Sequence, residues 1–187
     1  EIEGAEDDSI AGEFVMKNTS VNRKDVVLGL SASGTTPFVL AAMEYTKQQG
    51  SARIGLACEM DSVLLKNVDV AICVPVGPEI LYGSTRLKAG TAQKMILNML
   101  STAVMVKLGK VYKNQMVDLR VSNIKLVRRA ELMVAELGEV SQETATKLLK
   151  ETGNDVKTAI VMAKRKINIL EAEKNLKAVD GILSKII

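Results

Sequence analysis

The sequence has 187 residues, 47% of them hydrophobic and 25% charged, with a net charge of +3. That balance excludes a disordered chain and gives no strong basic field for nucleic acid, and 3% aromatics with no Trp leave few platforms for stacked bases. Histidine is absent, which removes Ser-His-Asp catalysis, His general-base chemistry and His metal ligation, so any proton transfer falls to carboxylates, Lys, Tyr or Cys.

The chain opens on an acidic stretch, Glu1, Glu3, Glu6, Asp7 and Asp8, which by itself reads as a solvated tail. Residues 9 to 19 predict a short helix with Ser9 as its N-cap. Asp25 to Leu30 is a continuous apolar run, the pattern of a strand buried on both faces of a parallel sheet. Ser31-Ala-Ser-Gly-Thr-Thr-Pro37 follows, and Phe38 to Gln49 has helical periodicity that stops at Gly50. Arg53 to Cys58 and Val68 to Val76 predict two more strands, with one or two helical turns between Asp61 and Lys66. This alternation predicts an α/β fold, a parallel sheet flanked by helices with right-handed crossovers.

After the third strand, a polar loop leads into a long helix from about Thr91 to Leu108, apolar on much of its circumference and therefore expected to be buried, with Gly109 at its end. From Ser122 the pattern is helical throughout, with helices expected at Ile124 to Leu137, Ser141 to Glu151, Asn154 to Ile169 and Glu171 to Ile187. The expected division is a sheet domain over 1–120 and a helical region over 121–187. Three strands are few for a covered sheet. The chain also begins at Glu1 rather than Met. Both features lead to the expectation that further strands come from upstream sequence or a partner chain. Cys58 and Cys73 sit in apolar runs without metal-ligand spacing and are expected to be buried reduced thiols of a cytosolic protein, with no metal site. No apolar run approaches the ~20 residues that span a bilayer, and no signal peptide is visible. Neither membrane nor nucleic acid is expected as a partner.

Two segments carry candidate chemistry. Ser31, Ser33, Thr35 and Thr36 cluster where a parallel strand opens into a helix, with Gly34 permitting close backbone approach. Free N–H groups and the positive end of the helix dipole suit a phosphate there. The Walker lysine spacing is missing, so a nucleoside triphosphate is not supported. An ordinary Ser-rich connection that caps its own helix remains the alternative. The second segment, Gly77 to Lys94, brings Glu79, Ser84, Thr85, Arg86 and Lys88 to the same edge of the sheet, and a solvated connection is its alternative.

Gly77-Pro-Glu-Ile-Leu-Tyr-Gly-Ser-Thr-Arg-Leu-Lys-Ala-Gly-Thr-Ala-Gln-Lys94 closely resembles the signature shared by the N-acetylmuramic acid 6-phosphate etherases and the glucokinase regulatory protein. Ser31-Ala-Ser-Gly-x-Thr-Pro37 resembles the phosphosugar loop of sugar isomerase (SIS) domains. Glu3-Gly-Ala-Glu-Asp-Asp8, Asn98-Met-Leu-Ser-Thr102, Leu108-Gly-Lys-Val-Tyr112 and Met116-Val-Asp118 also resemble the bacterial etherase, and the similarity runs in register from residue 3 to about 165. It implies a SIS-type sheet, incomplete in this chain, followed by a small helical module like a ubiquitin-associated (UBA) domain over Val140 to Ala163.

The resemblance also implies an activity: cleavage of the D-lactyl ether of N-acetylmuramic acid 6-phosphate by elimination and water addition, without metal or organic cofactor. Two glutamates of the family act as acid and base; one matches Glu6, and no residue here matches the other. Ser31, Ser33, Gly34 and Thr36 would hold the 6-phosphate, and Glu79, Ser84 and Lys88 would help form the sugar pocket. The partners implied are a phosphorylated amino sugar and a second copy in a homodimer. The sequence departs from the family at Thr35 (usually Arg), Tyr82 (usually small) and Glu59-Met60 (usually Asn-Pro), which bears on substrate choice. Two other functions fit the loops: a non-catalytic sugar-phosphate sensor, which Glu6 counts against, and a sugar-phosphate isomerase, which the Gly77–Lys94 signature counts against.

Overall fold

The structure, a computed structural model, describes residues 4–187. Contacts divide the chain into two compact units, residues up to Asn98 and Met99–Ile187. The expected strands form in the first unit. Three strands, β1 (Val26–Leu30), β2 (Ala52–Ala57) and β3 (Val70–Cys73), lie parallel in the order β1-β2-β3. The register pairs Gly29 with Gly55 and Ala57 with Cys73.

Helices α2 (Pro37–Gln48) and α3 (Val63–Lys66) make the two crossovers. Both pack over the glycine face of the sheet. A Cβ on Gly29 would lie 2.9 Å from Met43 Sδ of α2, and one on its partner Gly55 would lie 3.2 Å from Leu64 of α3. The lower ends of β2 and β3 are pinned by Arg53, which is buried. Its guanidinium donates to Asp69 Oδ1 at 2.9 Å and to the Asn67 carbonyl at 2.7 Å, while its backbone N–H donates to Asp69 Oδ2 at 2.7 Å. These bonds hold the Asp69 carboxyl below its ordinary range.

Helix α1 (Ser9–Asn18) lies against α2. Its N-cap is Asp8 rather than the expected Ser9: Asp8 Oδ1 accepts the Ala11 N–H at 2.9 Å. A carboxylate serves both as acceptor and as countercharge to the helix start, which a hydroxyl does not. The crossing is tight enough that a Cβ on Gly12 would lie 2.2 Å from the Phe38 carbonyl oxygen.

The long helix, α4 (Lys88–Lys107), starts three residues before the expected Thr91, and it is not the buried helix that its apolar character suggests. Ala89 is its one buried residue, and Met95 and Met99 are 60% and 66% exposed. No described element packs extensively on it, and its apolar Ile96, Leu97 and Leu100 are only half-buried. Cys58 and Cys73 are half-buried free thiols rather than fully buried ones.

The second unit takes in the end of α4 and then a short antiparallel hairpin, β4 (Val111–Tyr112) and β5 (Gln115–Met116), followed by α5 (Ile124–Gly138), α6 (Gln142–Glu151), α7 (Val156–Arg165) and α8 (Ile169–Ala178). Ala130, Val134, Ala145, Ile160, Ala172 and Leu183 share its core. Asn123, Ser141, Asp155 and Asn168 cap the four helices with their side chains. The last two helices are shorter than expected. Lys166 in the left-handed region ends α7, an Asn168–Glu171 capping box starts α8, and Asp180 and Gly181, both at positive φ, follow its end. No helix among the described residues is long and apolar enough to cross a membrane.

Gly12→Ala tests the α1–α2 crossing. On an exposed helix face this change gains up to about 1 kcal/mol of propensity. Here the new methyl meets backbone, so we expect a net loss of about 1–3 kcal/mol, read as a lower urea midpoint. A midpoint that rises would show the crossing to be loose.

Candidate functional site

The loop after β1 is organised by one hydroxyl. Ser31 is buried, and its Oγ accepts the Gly34 N–H at 2.9 Å and pairs with Thr36 Oγ1 at 2.7 Å. Thr36 occupies the N-cap position of α2, but its hydroxyl is spent on Ser31 and makes no cap bond to the helix. Pro37 fills the first turn, where a missing N–H costs nothing. The next N–H groups of α2 therefore have no side-chain cap. Ser33 and Thr35 stand outside the buried pair, joined Oγ to Oγ1 at 2.9 Å, and both are exposed. Uncapped N–H groups, a helix dipole and exposed hydroxyls are features that suit an anion.

Gly34 is required by its position. Its φ is +67°, and a Cβ there would lie 2.3 Å from the Cβ of Ser62 at the start of α3. Ser62 is itself buried, and its hydroxyl has no partner among the described residues. The loop also ties to its neighbours through backbone bonds, from Cys58 N–H to the Ala32 carbonyl at 2.9 Å and from Leu64 N–H to the Gly34 carbonyl at 2.9 Å.

A cavity of about 460 Å³ opens beside this loop, a suitable size for a small phosphorylated metabolite. Ala32 and Ser33 form one wall, Cys58 and Glu59 another, and Val76 to Glu79 with Thr85 and Ala89 the third. Glu79 sits at the start of α4 and fixes that wall. Its two carboxylate oxygens accept the N–H groups of Lys88 at 3.0 Å and Ala89 at 2.9 Å. Those backbone donors, Ala89 first, hold the Glu79 carboxyl below its ordinary value. The same capping explains why α4 begins at Lys88. The Cys58 thiol is pushed up by burial and then by the neighbouring Cys73 and Glu79, so it is disfavoured as a thiolate.

Of the residues singled out in the sequence, Ser33 and Glu79 line this cavity, and Ser31, Gly34 and Thr36 build the loop behind Ser33. Lys88 reaches its rim, its ammonium 3.9 Å from where a Gly77 Cβ would lie. Ser84 is half-buried in the loop before α4 but does not line the cavity. Glu6 is exposed in a 3-10 turn, Ala5–Asp7, that lies against α2, and it does not line the cavity either. Glu1 and Glu3 lie outside the described residues. Cys58 was not singled out for the site and Glu59 only as a departure from the family pattern, because nothing local marks the end of β2 as facing the loop 20 residues further on. Among the described residues no group of three or more Cys, Asp or Glu is placed to hold a metal ion.

Comparison with known proteins identifies a family. The SIS domain family matches residues 7–103, more than half of the chain and the whole of the cavity described above. The chain belongs to the SIS domain family. The C-terminal lid domain of glucokinase regulatory protein matches residues 113–153, within the helical unit.

Similar proteins named N-acetylmuramic acid 6-phosphate etherase occur in Lactobacillus acidophilus and Clostridium acetobutylicum, each 47% identical over 186 residues. Another, from Oenococcus oeni, is 46% identical. All three alignments cover the whole of this chain, which spans 62–63% of the length of these relatives. The resemblance of the Gly77–Lys94 segment to the etherases thus extends to the whole chain.

Glu79→Gln tests the cap. A carboxyl held below its ordinary value of 4.5 contributes stability that is present above that value and lost as the pH falls through the lower native one. We expect the variant to melt below the unmutated protein at neutral pH and the gap to close in acid. A gap independent of pH would mean that the ionised cap contributes nothing.

Proposed function

We propose that this chain is the C-terminal part of an N-acetylmuramic acid 6-phosphate etherase, a carbon–oxygen lyase that releases D-lactate and leaves N-acetylglucosamine 6-phosphate. The observation that carries this reading is the uncapped start of α2, ringed by Ser31, Ser33 and Thr36, in a chain 47% identical throughout to proteins named for that activity. The 6-phosphate would sit at the α2 N–H groups with the hydroxyls of Ser33 and Thr36 around it. Gly34 would let the backbone come close. Glu79 would act mainly by holding the wall that carries Lys88 and Ser84, since both its oxygens are already engaged.

In the proposed reaction a base takes the proton next to the sugar carbonyl, and the carbon–oxygen bond to lactate breaks. An acid protonates the departing oxygen, and water then adds across the double bond. Glu6 is our candidate for one of these two proton carriers, matching the family glutamate. No metal or organic cofactor is invoked. Both proton transfers fall to carboxylates, in keeping with a chain that has no histidine.

We propose further that the sheet domain extends over residues 1–120 and that the helical region 121–187 holds a UBA-like module. The active form is proposed to be a cytoplasmic homodimer, acting in amino-sugar catabolism. The second reading is a sugar-phosphate sensor without catalysis. It is favoured by one observation, the match of residues 113–153 to the glucokinase regulatory protein lid.

The test is D-lactate release from N-acetylmuramic acid 6-phosphate by the full-length protein and by its Glu6→Gln variant. We expect release from the first and a loss of at least about a hundredfold in the second, the size of a general acid–base contribution. A folded protein that binds the sugar phosphate and releases nothing would establish the sensor instead.

A further inference from the structure

The cavity lining carries two carboxylates, Glu59 after β2 and Glu79 before α4, with the hydroxyls of Ser33 and Thr85, the Cys58 thiol and otherwise apolar or backbone surface. No cation lines it among the described residues. Lys88 brings one to the rim at the Gly77 wall. Its ammonium lies 3.9 Å from where a Gly77 Cβ would be, and apart from chain neighbours nothing else comes within 4 Å of that point. Gly77 thus puts no side chain between this ammonium and the cavity. Both oxygens of Glu79 are already taken by the N–H groups of Lys88 and Ala89. The Lys88 ammonium makes no hydrogen bond or ion pair with Glu79 or with any other described residue.

A lysine ammonium carries a full charge and three donors, and its strongest partners are anionic oxygens. The substrate in the proposed reading has two anionic groups, the 6-phosphate and the carboxylate of its lactyl group, held apart by the sugar ring. The open start of α2 suits the first. Glu59 and Glu79 are acceptors and cannot receive the second, whereas the ammonium at the Gly77 wall can. We infer that Lys88 receives the lactyl carboxylate and so selects the ether-bearing sugar phosphate over its product, which lacks that group. This inference rests on the etherase reading. The Lys88 side chain takes no part in the Glu79 cap, which uses only its backbone N–H, so replacing it leaves the start of α4 in place.

The experiment compares the full-length protein with its Lys88→Met and Lys88→Arg variants. Two quantities are read: kcat/KM for D-lactate release from N-acetylmuramic acid 6-phosphate, and the inhibition constant of N-acetylglucosamine 6-phosphate. In Lys88→Met, kcat/KM should fall about tenfold or more while the inhibition constant moves by less than about twofold, at an unchanged melting temperature. Lys88→Arg, which keeps the charge, should recover most of the loss. A kcat/KM that does not fall, an inhibition constant that weakens as much as kcat/KM, or a loss that Lys88→Arg repeats in full overturns the role of Lys88 and leaves the etherase standing. An unmutated protein that binds N-acetylglucosamine 6-phosphate and releases no lactate overturns the etherase reading, and this inference with it.

Discussion

Much of the candidate site depends on where the Ser31 hydroxyl points. Buried at the end of β1, it receives the Gly34 N–H and holds the Thr36 hydroxyl at 2.7 Å. A Thr at an N-cap would ordinarily turn its oxygen back onto the helix and satisfy one of its free N–H groups. Here that oxygen is withheld, so α2 begins with its donors open and Ser33 and Thr35 standing around them. Gly34 makes this geometry possible, because its positive φ and the pressure of Ser62 admit no side chain.

The second constraint is the opposite arrangement at α4. There a carboxylate from nine residues upstream, Glu79, closes the helix start completely. One helix start at the cavity is left open for an anion and the other is already filled by one. In the proposed reading the pairing gives the cavity a direction: the phosphate would sit at the α2 side, opposite the wall from Gly77 to Ala89 that Glu79 ties to the start of α4.

Much of this was legible in the sequence. The three strands follow from continuous apolar runs, and the Ser31–Thr36 loop from its place between a strand and a helix. What was not legible depends on distant partners. The start of α4 at Lys88 needs the Glu79 side chain, which no local pattern announces. The exposure of Met95 and Met99 was misread because an apolar helix predicts a covering surface without saying which chain supplies it. The β4–β5 hairpin was not foreseen, since its strands are two residues each and its turn uses Lys113 at positive φ instead of a glycine. The break between α7 and α8 was read from the sequence but placed a few residues late, because apolar periodicity runs up to it and the Asn168–Glu171 capping box that sets the start of α8 was not used. Within the site, Ser31, Ser33 and Thr36 were visible as a motif, whereas Glu59 was visible only as a departure from one.

The central claim is that the open start of α2 receives the phosphate of a sugar phosphate. The most direct measurement is the change in backbone amide shifts of the protein on adding N-acetylglucosamine 6-phosphate, beside the same addition of N-acetylglucosamine. The account predicts that the amides of Ser33 to Val39 move with the phosphorylated sugar and stay in place with the other. Shifts that appear equally with both sugars, or that leave these amides untouched, would contradict it.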